Sequence, residues 1–278
     1  LAVLAQRAAP LQINWIGYPN TTGLTQVDYR IVDRLTDPPG QTEPYCTESL
    51  LRLPEPFLAF AAPAELPALT PPPCLENGFI TLGSFNALPK LNPPLLRSWA
   101  GIMHQIPGSR LLIKNLGMDF EAPKERIRNF FVQQGISGER LIFAGKSTTQ
   151  SEHLRFYEQV DISLDTFPYN GTTTTCDSLV MGVPVVSRAG KEHRSRVGLS
   201  LLSTLGLESL VARDENSLGG IVTVLAENPQ KLQSLRAELR SSLMQSRLGD
   251  AARLTANLER ELIHAWEHWQ AKTQEAHE

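Results

Sequence analysis

The stretch DISLDTFPYNGTTTTCDSLVMGVPVV, residues 161–186, decides how this chain is read. Its first run, DISLDT (161–166), and its last, continued as VPVVSR (183–188), read as short buried strands. Between them four threonines, Thr172 to Thr175, precede a short helical run, 176–181. Threonine is a mediocre helix former, so the tetrad marks a helix mouth rather than its body. A helix N-terminus offers unpaired N–H groups and roughly half a positive charge, enough to hold a phosphate without a lysine. Gly171 permits close backbone approach, Thr hydroxyls donate to phosphate oxygens, and Asp177, one turn in, suits ribose hydroxyls. The alternative is an N-cap in which one threonine caps and the others are incidental.

Outward from this stretch, apolar runs alternate with amphipathic ones from Gly78 onward. FITLGSF (79–85), RLLIK (110–114), RLIFAG (140–145) and SLVA (209–212) complete the strand set. PPLLRSWAGIMHQI (93–106), PKERIRNFFVQQ (123–134), SEHLRFYEQV (151–160) and RVGLSLLSTL (196–205) read as helices between them. Strict alternation with short, non-alternating strands predicts an α/β domain, a doubly wound parallel sheet covered on both faces. Such sheets bind ligands outside the carboxyl ends of their strands.

Four segments follow. Residues 1–65 hold the strand-like LQINWIG (11–17), and one or two strands there cannot cover their own apolar faces. The expectation is that further sequence precedes Leu1. Residues 66–77, rich in proline, read as a linker, and 78–245 as the nucleotide-binding domain. In 246–278 Leu254, Leu258, Leu262, Trp266 and Trp269 make one apolar stripe, expected to pack back on the first segment.

With 41% hydrophobic residues, 20% charged residues and a net charge of -3, the 278-residue chain reads as globular, with no basic footprint for nucleic acid. No apolar stretch nears the roughly 20 residues that span a bilayer, so no membrane is expected. Three dispersed cysteines without a CxxC pattern predict a reducing, cytoplasmic setting and no zinc. No DxD, HExxH, GxSxG or GxxxxGK[ST] pattern occurs, which leaves metal, elbow and P-loop chemistry unsupported.

Further candidates lie on the other strand exits. GSFNALPKLNP (83–93) offers Lys90 to a phosphate, with Ser84 and Asn86 as hydrogen-bonding groups. AGKSTTQSEH (144–153) places His153 on a first helical turn, where an imidazole can stack on a base or sugar. GYPNTTG (17–23) sets Tyr18, Pro19, Thr21 and Thr22 facing the cleft from the first segment. AGKEHRSRVG (189–198), with Lys191, His193, Arg194 and Arg196, reads most simply as a solvated basic helix start.

Taken in order, WIGYPNTTG (15–23), DYRIVD (28–33), LGSFNALPK (82–90), the long central motif and RVGLSLL (196–202) resemble the catalytic region of the O-linked N-acetylglucosaminyltransferase family. The resemblance is to its SPINDLY-like branch and bacterial homologues. It implies a GT-B glycosyltransferase: a Rossmann-like nucleotide-sugar domain plus part of a second, acceptor-side Rossmann-like domain, and no metal or other cofactor. It implies an inverting transfer of N-acetylglucosamine from UDP-GlcNAc to Ser/Thr hydroxyls of proteins, and an upstream half bearing tetratricopeptide repeats. By the same resemblance Lys90 neutralises the leaving phosphate, Thr173 and Thr174 bind the diphosphate, Asp177 holds the ribose and His153 lies against the nucleoside. Thr148 and Gln150 stand where the family touches uracil. Two positions depart from the animal enzymes: Thr172 replaces a His and Ala87 a Gln. SPINDLY-like proteins resemble protein O-fucosyltransferases, so GDP-fucose stays open as donor. So do a binding segment inactive without its upstream half and an epimerase acting on free nucleotide-sugar.

Overall fold

A computed structural model of the chain describes residues 1–54 and 56–275. Two parallel sheets face each other. The smaller, in order β1-β2-β3, is built from β1 (Ile13–Asn14), β2 (Tyr29–Asp33) and β3 (Ser49–Leu53), with Tyr29 opposite Ser49 and Asp33 opposite Leu53. The third strand, which periodicity did not single out, gives this segment a central strand buried from Arg30 to Asp33.

The connection 66–77 is not free chain. It ends in one helical turn, α1 (Cys74–Asn77), and the Nε groups of Arg236 and the Nη2 of Arg240 donate to the carbonyls of Thr70 and Pro67 along it. Beyond it run β4 (Thr81–Ser84), α2 (Pro93–Gln105), β5 (Arg110–Lys114), α3 (Glu121–Gln133), β6 (Leu141–Ala144), α4 (Gln150–Arg155) and β7 (Ile162–Leu164). Then follow α5 (Thr173–Val180), β8 (Val185–Arg188), α6 (Val197–Thr204), β9 (Val211–Ala212), α7 (Glu215–Ala226), α8 (Pro229–Gln245) and α9 (Ala251–Glu275). Apart from β5, which matches its run, the large-sheet strands are shorter than the apolar runs that announce them.

The large sheet has the order β6-β5-β4-β7-β8-β9, parallel throughout. From β4 the chain winds outward to β5 and β6, then returns to β7 and winds the other way. The carboxyl ends of β4 and β7 therefore diverge at a topological switch point, where doubly wound sheets bind ligands. Helix starts flanking this edge carry their own caps. Asn92 accepts from Leu95 N with two prolines in the first turn of α2, and Thr149 and Glu152 form a capping box on α4. Trp99, Met103, Ile113, Phe131 and Leu179 lie in the core between sheet and helices.

Of the helix expected within 246–278, residues 276–278 lie outside those described. Helix α9 crosses to the small sheet, where Leu254, Leu258 and Ala265 pack with Ile31, Leu51 and Leu53. The whole stripe does not bury: Leu262 and Trp266 stay exposed, and Trp266 stacks on Trp269 at 4.9 Å. A 25-residue helix is about 37 Å long, whereas three strands about 4.8 Å apart are far narrower, so the helix overshoots its sheet.

Candidate active site

The two loops leaving the switch point are bound to each other. Lys90, from the β4 exit, sends Nζ to the carbonyl of Asn170 at 2.8 Å and to Asn86 Oδ1 at 3.3 Å, and lies 4.0 Å over the ring of Tyr169. Asn86 Oδ1 also accepts from Thr174 Oγ1 at 3.2 Å, so one carboxamide joins the β4 exit to the first turn of α5. Burial pushes the Lys90 ammonium down from its ordinary value, and the Asp165 charge opposes that.

Asp165 shapes the loop from below. It accepts from Gly171 N at 2.6 Å, Thr166 N at 2.8 Å and Ser187 Oγ at 2.6 Å. Burial raises its carboxyl to about 6 against the pull of those bonds and of Lys90. Gly171 is crowded here: a Cβ would meet Thr174 Oγ1 at 2.4 Å and Thr175 Oγ1 at 2.9 Å, so any larger residue displaces those side chains. The first N–H groups of α5 have no intrahelical partner, and Thr172, its N-cap residue, makes no side-chain cap. Thr173 is exposed at the tip, Thr174 half-buried and Thr175 buried. The tetrad is thus not a redundant cap; each threonine has a different environment.

Beside this start opens a cleft of about 740 Å³ between the exits of β4, β5 and β6 and the helices α4 and α5. Thr148, Gln150, His153 and Thr174 line it; Asn86, Lys90 and Asp177 do not, but Asn86 bonds Thr174, Lys90 bonds Asn86 and Asp177 approaches His153. Asp177 Oδ2 is 3.9 Å from His153 Nε2, and burial raises the Asp177 carboxyl to about 6. His153 sits edge-on to Phe85 and Tyr157, at 5.8 Å and 6.0 Å between centroids. Burial and the Lys114 charge push its imidazole down.

Three cleft residues escaped the sequence reading. Lys114 is 2% exposed, with Nζ on the carbonyl of Gly145 at 3.0 Å. Asn115 caps the following turn through Oδ1 and leaves Nδ2 buried without a partner, as does Ser147 with its hydroxyl. The available signal was the polar pair Lys114-Asn115 closing an apolar strand at the carboxyl edge of a parallel sheet.

From the small sheet, Tyr18 and Pro19 meet Tyr169 and Thr172 across a narrow crevice of about 50 Å³. Thr21 and Thr22 do not reach it. Both hydroxyls donate to Glu48 at 2.6 Å, and these bonds hold that carboxyl low although burial raises it. Nor is the basic run 191–196 a solvated helix start. His193 is buried with Nδ1 2.5 Å from Asp37 Oδ2, and Arg196 Nε donates to the carbonyl of Leu35 at 2.6 Å. Ser200 Oγ reaches Asp33 at 2.5 Å, so polar side chains from this loop and α6 clamp the two sheets together. Among the described residues no group of three His, Cys, Asp or Glu side chains is placed to hold a metal ion, and no helix is long and apolar enough to cross a membrane.

Two facing parallel sheets with a cleft at the switch point of the larger one form a GT-B arrangement. A sequence profile of glycosyl transferase family 41 matches residues 2–64 and 74–258. The chain is 43% identical, over 96% of its length, to a Petunia hybrida protein named "Probable UDP-N-acetylglucosamine--peptide N-acetylglucosaminyltransferase SPINDLY". It is 31% identical over 95% of its length to the Arabidopsis thaliana protein of the same description named SEC. It spans 28% of the first relative and 27% of the second. Among solved structures it superposes on an O-GlcNAc transferase mutant of Thermobaculum terrenum with a TM-score of 0.87 and 31% identity, covering 97% of this chain and 51% of that one. A sucrose-phosphate synthase from Thermosynechococcus elongatus, at 16% identity and TM-score 0.55 over 86% of this chain and 59% of its own, shares the fold.

Proposed function

The chain belongs to glycosyl transferase family 41, and from that premise we propose that it is the donor-binding part of an enzyme moving N-acetylglucosamine from UDP-N-acetylglucosamine to Ser or Thr hydroxyls of proteins. The observation that carries the reading is the junction of Lys90, Asn86 and Thr174 against the open N-terminus of α5, beside a cleft large enough for a nucleotide. The diphosphate lies on that N-terminus, the ribose on Asp177 and the base toward His153 and the 148–150 turn. In the reaction the acceptor hydroxyl attacks the anomeric carbon opposite the leaving group, with inversion, and its proton passes to a base or to the departing diphosphate. The bond to the diphosphate breaks, and its new charge meets Lys90, the threonine hydroxyls and the helix dipole. Fixed donors aimed at developing charge supply several kcal/mol without reorganisation, which is the part a metal ion plays elsewhere.

A second reading, GDP-fucose as donor, rests on Thr172 and Ala87, the two departures from the animal enzymes. Calorimetric titration with UDP, GDP, UDP-N-acetylglucosamine and GDP-fucose decides between them. Preference for uridine nucleotides is expected; preference for guanosine nucleotides overturns the donor, and no binding of any of the four overturns the site. Transfer by the isolated chain would show that it needs nothing upstream, whereas transfer only by the full-length protein makes it a donor-binding part.

A further inference from the structure

A second cavity, of about 500 Å³, lies between β2, the segment 37–46 and the loop 191–193, and shares Arg30 and His193 with the crevice under Thr172. Arg30 is 2% exposed. Its Nη2 donates to Asp37, but Nε and Nη1, on different edges of the guanidinium, are buried without a partner. Thr42, 8% exposed and on the same wall, has an equally unpartnered hydroxyl. A buried donor without an acceptor forfeits its hydration with nothing in return, and folded proteins leave few of them.

The acceptors around this wall are already engaged. Asp37 takes Arg30 on one oxygen and His193 Nδ1 on the other. Burial raises its carboxyl, but the His193 hydrogen bond and the Arg30 charge hold it low. Glu192 pairs with Arg194 at 2.5 Å, while Lys191 stands exposed at the mouth with no ion pair among the described residues. Arg30 keeps two donors spare and Thr42 a hydroxyl that can donate. With Arg30 set against Asp37, Lys191 is the lining cation without an ion-pair partner among the described residues, while the nearby Glu48 is held by the hydroxyls of Thr21 and Thr22.

We propose that this cavity binds a carboxylate, brought by an Asp or Glu side chain of the acceptor polypeptide. That source rests on the reading of the chain as a protein glycosyltransferase: a polypeptide laid along the junction of the sheets passes from the crevice at Thr172 to this cavity, because the two share wall residues.

The test uses the full-length enzyme and short alanine-rich peptides with one Thr and a single Asp placed at successive positions, each against its Asn twin. Calorimetry is expected to find at least one Asp peptide bound about tenfold more tightly than its twin, the worth of one charge-assisted hydrogen bond. Thr42→Val with Lys191→Ala is expected to erase that preference while leaving UDP affinity intact. These two substitutions avoid Arg30, whose loss would strand Asp37 in the core. Equal binding of all twins overturns the proposal, as it must if another part of the full-length chain fills the cavity. A preference undiminished in the double variant overturns it too, by placing the carboxylate elsewhere. Succinate binding that depends on Thr42, without any peptide preference, overturns the polypeptide source. Transfer assays on the same peptides separate the two readings. Glycosylation without an Asp preference sinks the subsite alone, and an Asp preference without transfer from any nucleotide-sugar sinks the glycosyltransferase reading alone.

Discussion

Lys90 Nζ donates to the carbonyl oxygen of Asn170 at 2.8 Å, tying together two loops 80 residues apart at the point where the sheet changes its winding direction. The ammonium is thereby fixed beside the N-terminus of α5 before any ligand arrives. Lys90→Met is expected to lower kcat about a hundredfold, with UDP affinity changed far less. Steady-state kinetics and calorimetry check this; equal losses in both would place Lys90 in ground-state binding rather than in leaving-group stabilisation.

Asp177, raised to about 6 by burial, makes nucleotide binding pH-dependent. On the proposed role of Asp177 as the ribose acceptor, the carboxylate present above about pH 6 accepts more strongly from the ribose hydroxyls than the protonated acid below it. UDP affinity is therefore expected to rise as pH increases through about 6. The neighbouring imidazole of His153, pushed below its ordinary value, is neutral over the upper part of that range. For the empty protein the sign is opposite: a carboxyl with a raised folded-state value contributes stability below its unfolded value of 3.8, lost as pH climbs through about 6. Asp177→Asn is expected to weaken UDP about tenfold at pH 8 and flatten the binding profile. A profile unchanged by the substitution assigns the titration to another group.

Gly171→Ala places a methyl group against the hydroxyls of Thr174 and Thr175. The side chains rotate away, so the fold survives while the Thr174 bond to Asn86 is lost. A roughly tenfold drop in nucleotide affinity is expected, with the thermal midpoint little altered. A large fall in midpoint with affinity intact would make Gly171 a folding residue only.

Arg236, 3% exposed, donates to the carbonyls of Thr70, Val160 and Tyr157. Arg236→Met strands three buried acceptors and is expected to cost about 3 kcal/mol or more in urea unfolding. UDP affinity of the folded fraction is expected to change far less, since Arg236 touches no cleft-lining residue and meets Tyr157 only at its backbone carbonyl.

If fixed dipoles and Lys90 stabilise the leaving group, a chelator is expected to leave turnover unchanged in a metal-free buffer. Loss of activity on chelation, restored by a divalent cation, would give the charge-neutralising part to a metal.

Much of the large domain was legible because its signals are local. Strands of a few apolar residues, amphipathic helical runs and the prolines in the first turn of α2 each declare themselves within a few residues. From strict alternation the parallel sheet follows, and from the parallel sheet the ligand edge, which is how GTTTT was found. The second and third small strands were missed because YRIVD and SLLRL each carry an arginine among their apolar residues: Arg30 is buried against Asp37, and Arg52 reaches out to Glu43 and the carbonyl of Asp37. The full stripe of α9 was over-read, since periodicity tells which face is apolar but not how wide the receiving surface is.

The α/β winding, the switch-point motif and the helix mouth at Thr172 to Thr175 follow from backbone propensity and side-chain period, which act over a few residues. That Thr21 and Thr22 belong to Glu48, that His193 belongs to Asp37 at a separation of 156 residues, and that Arg30 keeps two donors unpartnered emerges in three dimensions. A hydrogen bond depends on angstrom-scale placement of groups brought together by packing, and no local pattern encodes which distant acceptor a buried donor will find.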